Sequence, residues 1–221
     1  MSSRVYIAVI GDLVASRGLP PPVRRRIQSE FAAYFGSFPV TGAKGLAARP
    51  LLTLGDEFQV LFRADGDGAQ AALDLIRTLV ETARPASVRF GLGIGGLSTP
   101  RREQALGMDG PCFHRARAAL ERARKFGMLC QLERGGRAAE STWSLLAAYV
   151  LHQRTDWSEP QREAIVLFEE LGTWKDVAER LGISRSAVTQ RHQGAGWPLY
   201  RRAWEALSAG LDEIVSGGGT T

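Results

Sequence analysis

The sequence predicts an α+β chain, in which a ferredoxin-like domain is followed by an all-α helix-turn-helix domain. Three observations predict it. Residues 4–133 alternate apolar, strand-like runs with amphipathic segments in the order β-α-β-β-α-β-α-β. Residues 133–141, ERGGRAAES, carry two glycines, four charges and no bulky apolar side chain, as a linker does. After Ser141 the pattern is helical throughout. The expected domains are 1–137 and 138–221, and 221 residues at 44% hydrophobic content can bury a core in each.

The elements follow in order. Residues 4–11 are almost continuously apolar and rich in β-branched types, a buried strand ending at Gly11-Asp12. Pro20 to Pro22 open a helix to about Phe35, with Ile27 and Phe31 on its inner face. Residues 51–63 read as two short strands joined at Gly55-Asp56. Helix 68–83, strand 87–97, helix 110–126 and strand 128–133 complete the domain. Helices alternating with paired strands imply an antiparallel or mixed sheet covered on one side. The glycines of GLGIGG, 91–96, lie within a strand and open no helix, so they are no dinucleotide fingerprint. They suit close backbone approach or a bulge. In the second half, Ser158 with Gln161 has capping-box spacing, that helix ends at Gly172, and Thr173 caps the next. The tail SGGGTT is expected to be disordered.

Composition excludes several classes. No run of 18 apolar residues exists, so no transmembrane helix is expected. The N-terminus lacks the layout of a secretory signal. Cys112 and Cys130 are the only cysteines, which leaves no disulfide framework or zinc spacing and makes a cytoplasmic location the default. The net charge of +5 rests on 25 Arg against 3 Lys. Residues 1–150 carry 20 basic and 13 acidic groups, and residues 151–221 carry 8 and 10. Yet from Arg180 to Arg202 there are five arginines and no acid.

That stretch overlaps TWKDVAERLGISRSAVTQRHQ, residues 173–193. Two helices touching at a tight turn need a small residue at the contact, a residue tolerant of positive φ in the turn, and apolar side chains facing a shared core. Ala178, Gly182, and Val177, Leu181, Ile183 and Val188 supply these in turn. The stretch resembles the DNA-binding helix-turn-helix of bacterial regulators and sigma-like factors. Ser184 would cap the second helix, which would expose Arg185, Ser186, Thr189, Gln190, Arg191 and His192 to double-stranded DNA. Arginine and glutamine suit bidentate reading of guanine and adenine edges. A helical hairpin used only for packing is the alternative. Trp197, Tyr200 and Trp204 read as core or dimer contacts rather than base-stacking groups.

In the first domain Asp12 ends the first strand, and Asp56 and Glu57 sit in the hairpin. In a ferredoxin-like sheet the first and third strands are neighbours, so these carboxylates can face each other. Converging carboxylates hold Mg²⁺ beside phosphates. Gly-Asp as plain turn chemistry is the other reading, and both stay open.

Four blocks in order, IGDLVASR, LGDEFQVLF, RFGLGIGGLST and DGPCFHRARAAL, resemble the SatD family. More distantly they are similar to class III nucleotidyl cyclases and GGDEF-type cyclases, whose palm-like core binds two metal ions through a first-strand and a hairpin carboxylate. The resemblance implies a nucleotide ligand with Mg²⁺. Asp12 and Asp56 would be metal ligands and Glu57 a further acidic candidate. Leu13 to Ser16 would cradle phosphates, with Arg17, His114, Arg115 and Arg117 near them. Cyclases place an Asn and an Arg four residues apart in the helix after a glycine. Counted from Gly110, His114 and Ala118 hold those places, and Arg117 lies one residue off, about 100° round the helix.

The combined expectation is a DNA-binding regulator, a homodimer, whose cyclase-like domain binds a nucleotide as input. The alternative is a divergent nucleotidyl cyclase or phosphoryl-transfer enzyme with a helix-turn-helix module.

Overall fold

A computed structural model describes residues 4–39, 44–53, 56–136 and 138–217. The chain divides into two compact units, Met1–Ala148 with Leu207–Thr221, and Tyr149–Ala206.

The first unit contains β1 (Tyr6–Leu13), α1 (Pro21–Gly36), β2 (Leu46–Leu52), β3 (Phe58–Arg63), α2 (Gly68–Thr82), β4 (Val88–Gly95), α3 (Pro111–Phe126) and β5 (Cys130–Glu133). The element order is the expected one. β2 begins five residues before the expected strand, and Gly55 of the expected turn lies outside the described residues. Five strands form one sheet in the order β2-β3-β1-β4-β5. β1 runs antiparallel to both β3 and β4, which puts it at the centre. The first four strands with α1 and α2 are the ferredoxin-like unit. α3 then crosses over to β5, which pairs parallel with β4.

Both faces of the sheet are covered, where one was expected. Successive β1 side chains point to opposite faces. Tyr6, Ala8 and Ile10 pack with Cys112, Phe113, Ala116 and Leu120 of α3. On the opposite face Phe58 meets Phe31 and Phe35 of α1 and Phe90 of β4. The glycine-rich strand is what seats α3. A Cβ at Gly91 would lie 2.2 Å from the Ala116 carbonyl oxygen, and one at Gly93 2.1 Å from that of Cys112. The helix backbone therefore rests directly on β4, as close approach at these glycines requires.

Residues 133–141, expected as a linker, form an ordered turn in their described part. The backbone amides of Arg134, Gly135 and Gly136 all donate to Glu140 Oε2 at 2.8–3.2 Å. Glu140 is buried in the first turn of α4 (Ala138–Asp156).

The second unit holds the end of α4, then α5 (Glu159–Leu171), α6 (Trp174–Leu181), α7 (Arg185–Gly194) and the start of α8 (Trp197–Ser216). α8 runs into the expected disordered tail as far as Ser216, and residues 218–221 lie outside the described residues. The caps are where the sequence places them. Ser158 and Gln161 form the capping box, and Thr173 and Ser184 accept from the amides of Asp176 and Ala187. A feature without local sequence signal holds this unit together. Arg154, 1% exposed, makes a two-pronged ion pair with Glu169 (2.9 and 2.7 Å) and donates to the Tyr200 hydroxyl at 3.1 Å. Trp197 and Tyr200 are buried, as expected of core residues. Among the described residues no helix is long and apolar enough to cross a membrane.

Candidate functional site

The carboxylates of the first unit meet arginines. Asp12, an even-numbered β1 residue, points to the face that α3 covers. Its Oδ2 accepts from Arg124 Nη2 at 2.7 Å and from Nε at 3.2 Å. Glu57, just before β3, is gripped by Arg117, with Nη1 on Oε2 and Nη2 on Oε1, the latter at 2.7 Å. Arg117 and Arg124 are two helical turns apart on α3, so both project along one side of it. The Arg117 guanidinium holds the Glu57 carboxyl below the usual glutamate range, against the opposing effect of burial. The Asp12 carboxylate in turn raises Arg124 above the usual arginine value, its charge reinforced by Glu121 and Glu57. With Glu121, which accepts from Arg124 Nη1, these groups form one electrostatic cluster at the end of β1.

Asp12 and Glu57 are thus brought together, as the strand order predicted, through two guanidiniums. Arg124, 112 residues from Asp12, had no local signal. Asp56 lies half-buried in the turn beside Glu57. The observation that fits a Mg²⁺ ion is at Asp12. Asp12 Oδ1 is buried and lacks a partner among the described residues. Mg²⁺ keeps several waters and needs only one or two carboxylates. No three His, Cys, Asp or Glu side chains are grouped to hold a metal among the described residues. Both Glu57 oxygens face Arg117, so Glu57 is placed as that arginine's partner rather than as a ligand.

The other residues expected near phosphates divide. Leu13 is a buried strand residue in register with Val88, so its backbone belongs to the ladder. Ser16 opens a single 3₁₀ turn after Ala15, which has φ 51°, and Arg17 in that turn is exposed. His114 does not join the cluster. Its Nε2 pairs with Asp109 Oδ1 at 2.6 Å, and its ring is 70% exposed. Arg115 turns toward β4 and donates from Nη1 to the Ile94 carbonyl at 2.6 Å. Only Arg117 stands with the carboxylates. Cys112 and Cys130 are free and buried, and burial pushes the Cys112 thiol up to about 11. Neither thiol is a nucleophile at neutral pH.

In the second unit α6 and α7 form the expected helix-turn-helix. Gly182 makes the turn at φ 64°, and Ala164, Val177, Ala178 and Val188 are the buried core beneath α5. Ser184, Arg185, Ser186, Thr189 and Gln190 are exposed along one side of α7. Arg191 and His192 are corrected. Arg191 turns to α5, donating to Glu163 Oε2 at 3.2 Å, because residue 191 falls on the inward flank of the helix. His192 stacks on Trp174 with ring centroids 4.4 Å apart, and its burial lowers its pKa.

A family model described as the SatD family matches residues 6–132. No curated protein matches the chain. Among solved structures, one titled as a bacterial light-regulated adenylyl cyclase is 16% identical, with 60% of this chain and 77% of that one covered and a TM-score of 0.38. A second of the same description is 18% identical, with 58% and 43% covered and a TM-score of 0.36, so the match spans under half of it. A regulator of polyketide synthase expression from Bifidobacterium adolescentis is 13% identical, with 98% and 87% covered and a TM-score of 0.23. The fold assignment rests on the strand order and connections described above.

Proposed function

The chain belongs to the SatD family, and we propose that it is a DNA-binding transcriptional regulator whose α/β unit binds a nucleotide with Mg²⁺ as its input. The observation that carries the reading is the exposed side of α7. Arg185, Ser186, Thr189 and Gln190 present donors and acceptors at the spacing of a recognition helix, on a helix fixed from behind by Val188. One such helix covers a half-site, so the regulator would act as a homodimer on a palindrome.

The cluster at the end of β1 supports the input. Asp12, Glu57 and Glu121 all meet its two arginines, so carboxylates outnumber guanidiniums and a bare anion would face excess negative charge. A nucleotide together with Mg²⁺ brings both signs. Its phosphates would take Arg117 and Arg124, while Asp12 and Asp56 would hold the ion. Bound there, Mg²⁺ would supply charge neutralisation of the phosphates. Such an input shifts DNA affinity only if it binds two states of the protein differently.

Thermal shift tests this part. Mg²⁺ with a nucleoside triphosphate should raise the melting temperature more than either alone, and Asp12→Asn should abolish the difference. No shift with any nucleotide and metal would contradict it. The facing of Arg117 toward the hairpin carboxylate also favours a second reading, phosphoryl transfer, in which arginines stabilise developing charge. Product formation from a nucleoside triphosphate that Asp12→Ala abolishes would establish that reading instead.

A further inference from the structure

We infer that the first unit carries a second anion site, for a phosphate group, at the opposite end of β1 from Asp12. Tyr6 and Asp12 are six residues apart on the strand, about 20 Å. Around Tyr6 a cavity of about 90 Å³ is lined by Arg4, Tyr6, Ala47, Arg63 and Arg101. A water molecule needs only roughly 10–15 Å³ measured this way, so a phosphate-sized group has room.

The site is built by an irregularity of β2. Leu46 is in register with Phe62, but Ala48 with Leu61, so two residues of β2 stand against one of β3 and Ala47 is the extra one. The carbonyls at this bulge are taken by arginines. Arg63 Nη1 donates to the Leu46 oxygen at 3.1 Å, and Arg101 Nη1 to the Ala47 oxygen at 2.7 Å. Each guanidinium is pinned to the bulge by Nη1 alone, which leaves its Nη2 for a ligand. Arg63 shares the α3 face with its register partner Tyr6.

Positive charge is in excess, three guanidiniums against one carboxylate. The carboxylate that meets the group is that of Asp65, 3.6 Å from Arg63 Nε and 71% exposed. No carboxylate meets Arg4 or Arg101 among the described residues. Three like charges around one small cavity disfavour each other, and a bound anion relieves them. A phosphate offers oxygens in three directions to three forks, whereas a carboxylate offers two in one plane. The phosphate is either free or the end of a small monoester.

Isothermal titration of the full chain with inorganic phosphate, and separately with a nucleoside 5′-monophosphate, tests this. Both are run without divalent metal at matched ionic strength. Binding is expected, weakened roughly tenfold or more in Arg101→Gln, the loss expected from charge-assisted hydrogen bonds. Arg4→Gln guards against misfolding, since Arg4 is exposed and anchors no strand, and it should show a loss of the same sign. Asp12→Asn should bind as the parent chain does, which separates this site from the nucleotide site proposed above. Equal affinity for the two ligands supports free phosphate, and tighter binding of the monophosphate supports a monoester. Absence of binding, full binding by Arg4→Gln and Arg101→Gln, or a loss confined to Asp12→Asn would overturn the proposal.

Discussion

In the α/β unit the arginines Arg117 and Arg124 are spent on Glu57 and Asp12. In the helical unit Arg185 and Gln190 stand in solvent, with no side-chain partner among the described residues. The two surfaces therefore meet a ligand differently. The first must exchange internal ion pairs for external ones, which favours a ligand carrying both charge signs. The second meets its partner at once, with only hydration to displace. Arg154 marks the limit of this contrast, since the helical unit also holds one arginine fully buried and paired.

Arg154→Ala should have the largest effect. It empties the space of a fully buried side chain and removes its hydrogen bonds to Glu169 and Tyr200, a loss of about 2–4 kcal/mol. Hydrogen exchange should show protection lost in α5 and the start of α8 and kept in β1 and β4. Uniform loss through both units would break the picture of two separately held cores. Next comes Gly93→Ala. The added carbon would sit 2.1 Å from the Cys112 carbonyl oxygen, so α3 must lift, at roughly 1–3 kcal/mol. Because α3 carries both clamp arginines, the Mg²⁺–nucleotide response should fall with it while DNA binding stays. An unchanged melting temperature would show that β4 does not seat the helix.

Arg117→Met should have the smallest effect, about 1 kcal/mol or less for a partly exposed pair. Its signature is in pH. The folded Glu57 carboxyl titrates below its unfolded value, so the pair stabilises above that unfolded value and the contribution disappears as pH falls through the folded one. Chemical denaturation of the parent chain and the variant should differ near neutral pH and converge in acid. A constant gap across that range would contradict the assignment.

Features set by neighbouring residues were legible in the sequence. The Ser158, Thr173 and Ser184 caps, the Gly182 turn and the apolar run of β1 depend on residues close to one another in the chain. The glycines at 91 and 93 announced a close approach but not what approaches. Pairings across long stretches of chain were not legible. Arg124 with Asp12, Arg117 with Glu57 and Arg154 with Glu169 join positions that no local pattern relates. This is why the carboxylates were foreseen and their arginine partners only in part. The second covered face was missed for the same reason, because α3 packs on a strand already formed. On α7 the inward turn of Arg191 and His192 follows from where residues 191 and 192 fall round the helix, a matter of one residue step.

The central claim is that α7 reads DNA, and it is tested most directly by selecting duplexes from a random pool with the full chain. A palindrome with half-sites about one helical turn apart should be enriched. With Arg185→Ala and Gln190→Ala together, each worth about 1–3 kcal/mol of base discrimination, the enrichment should disappear. Failure of the parent chain to enrich any sequence, or the same sequence selected by the double variant, would contradict it.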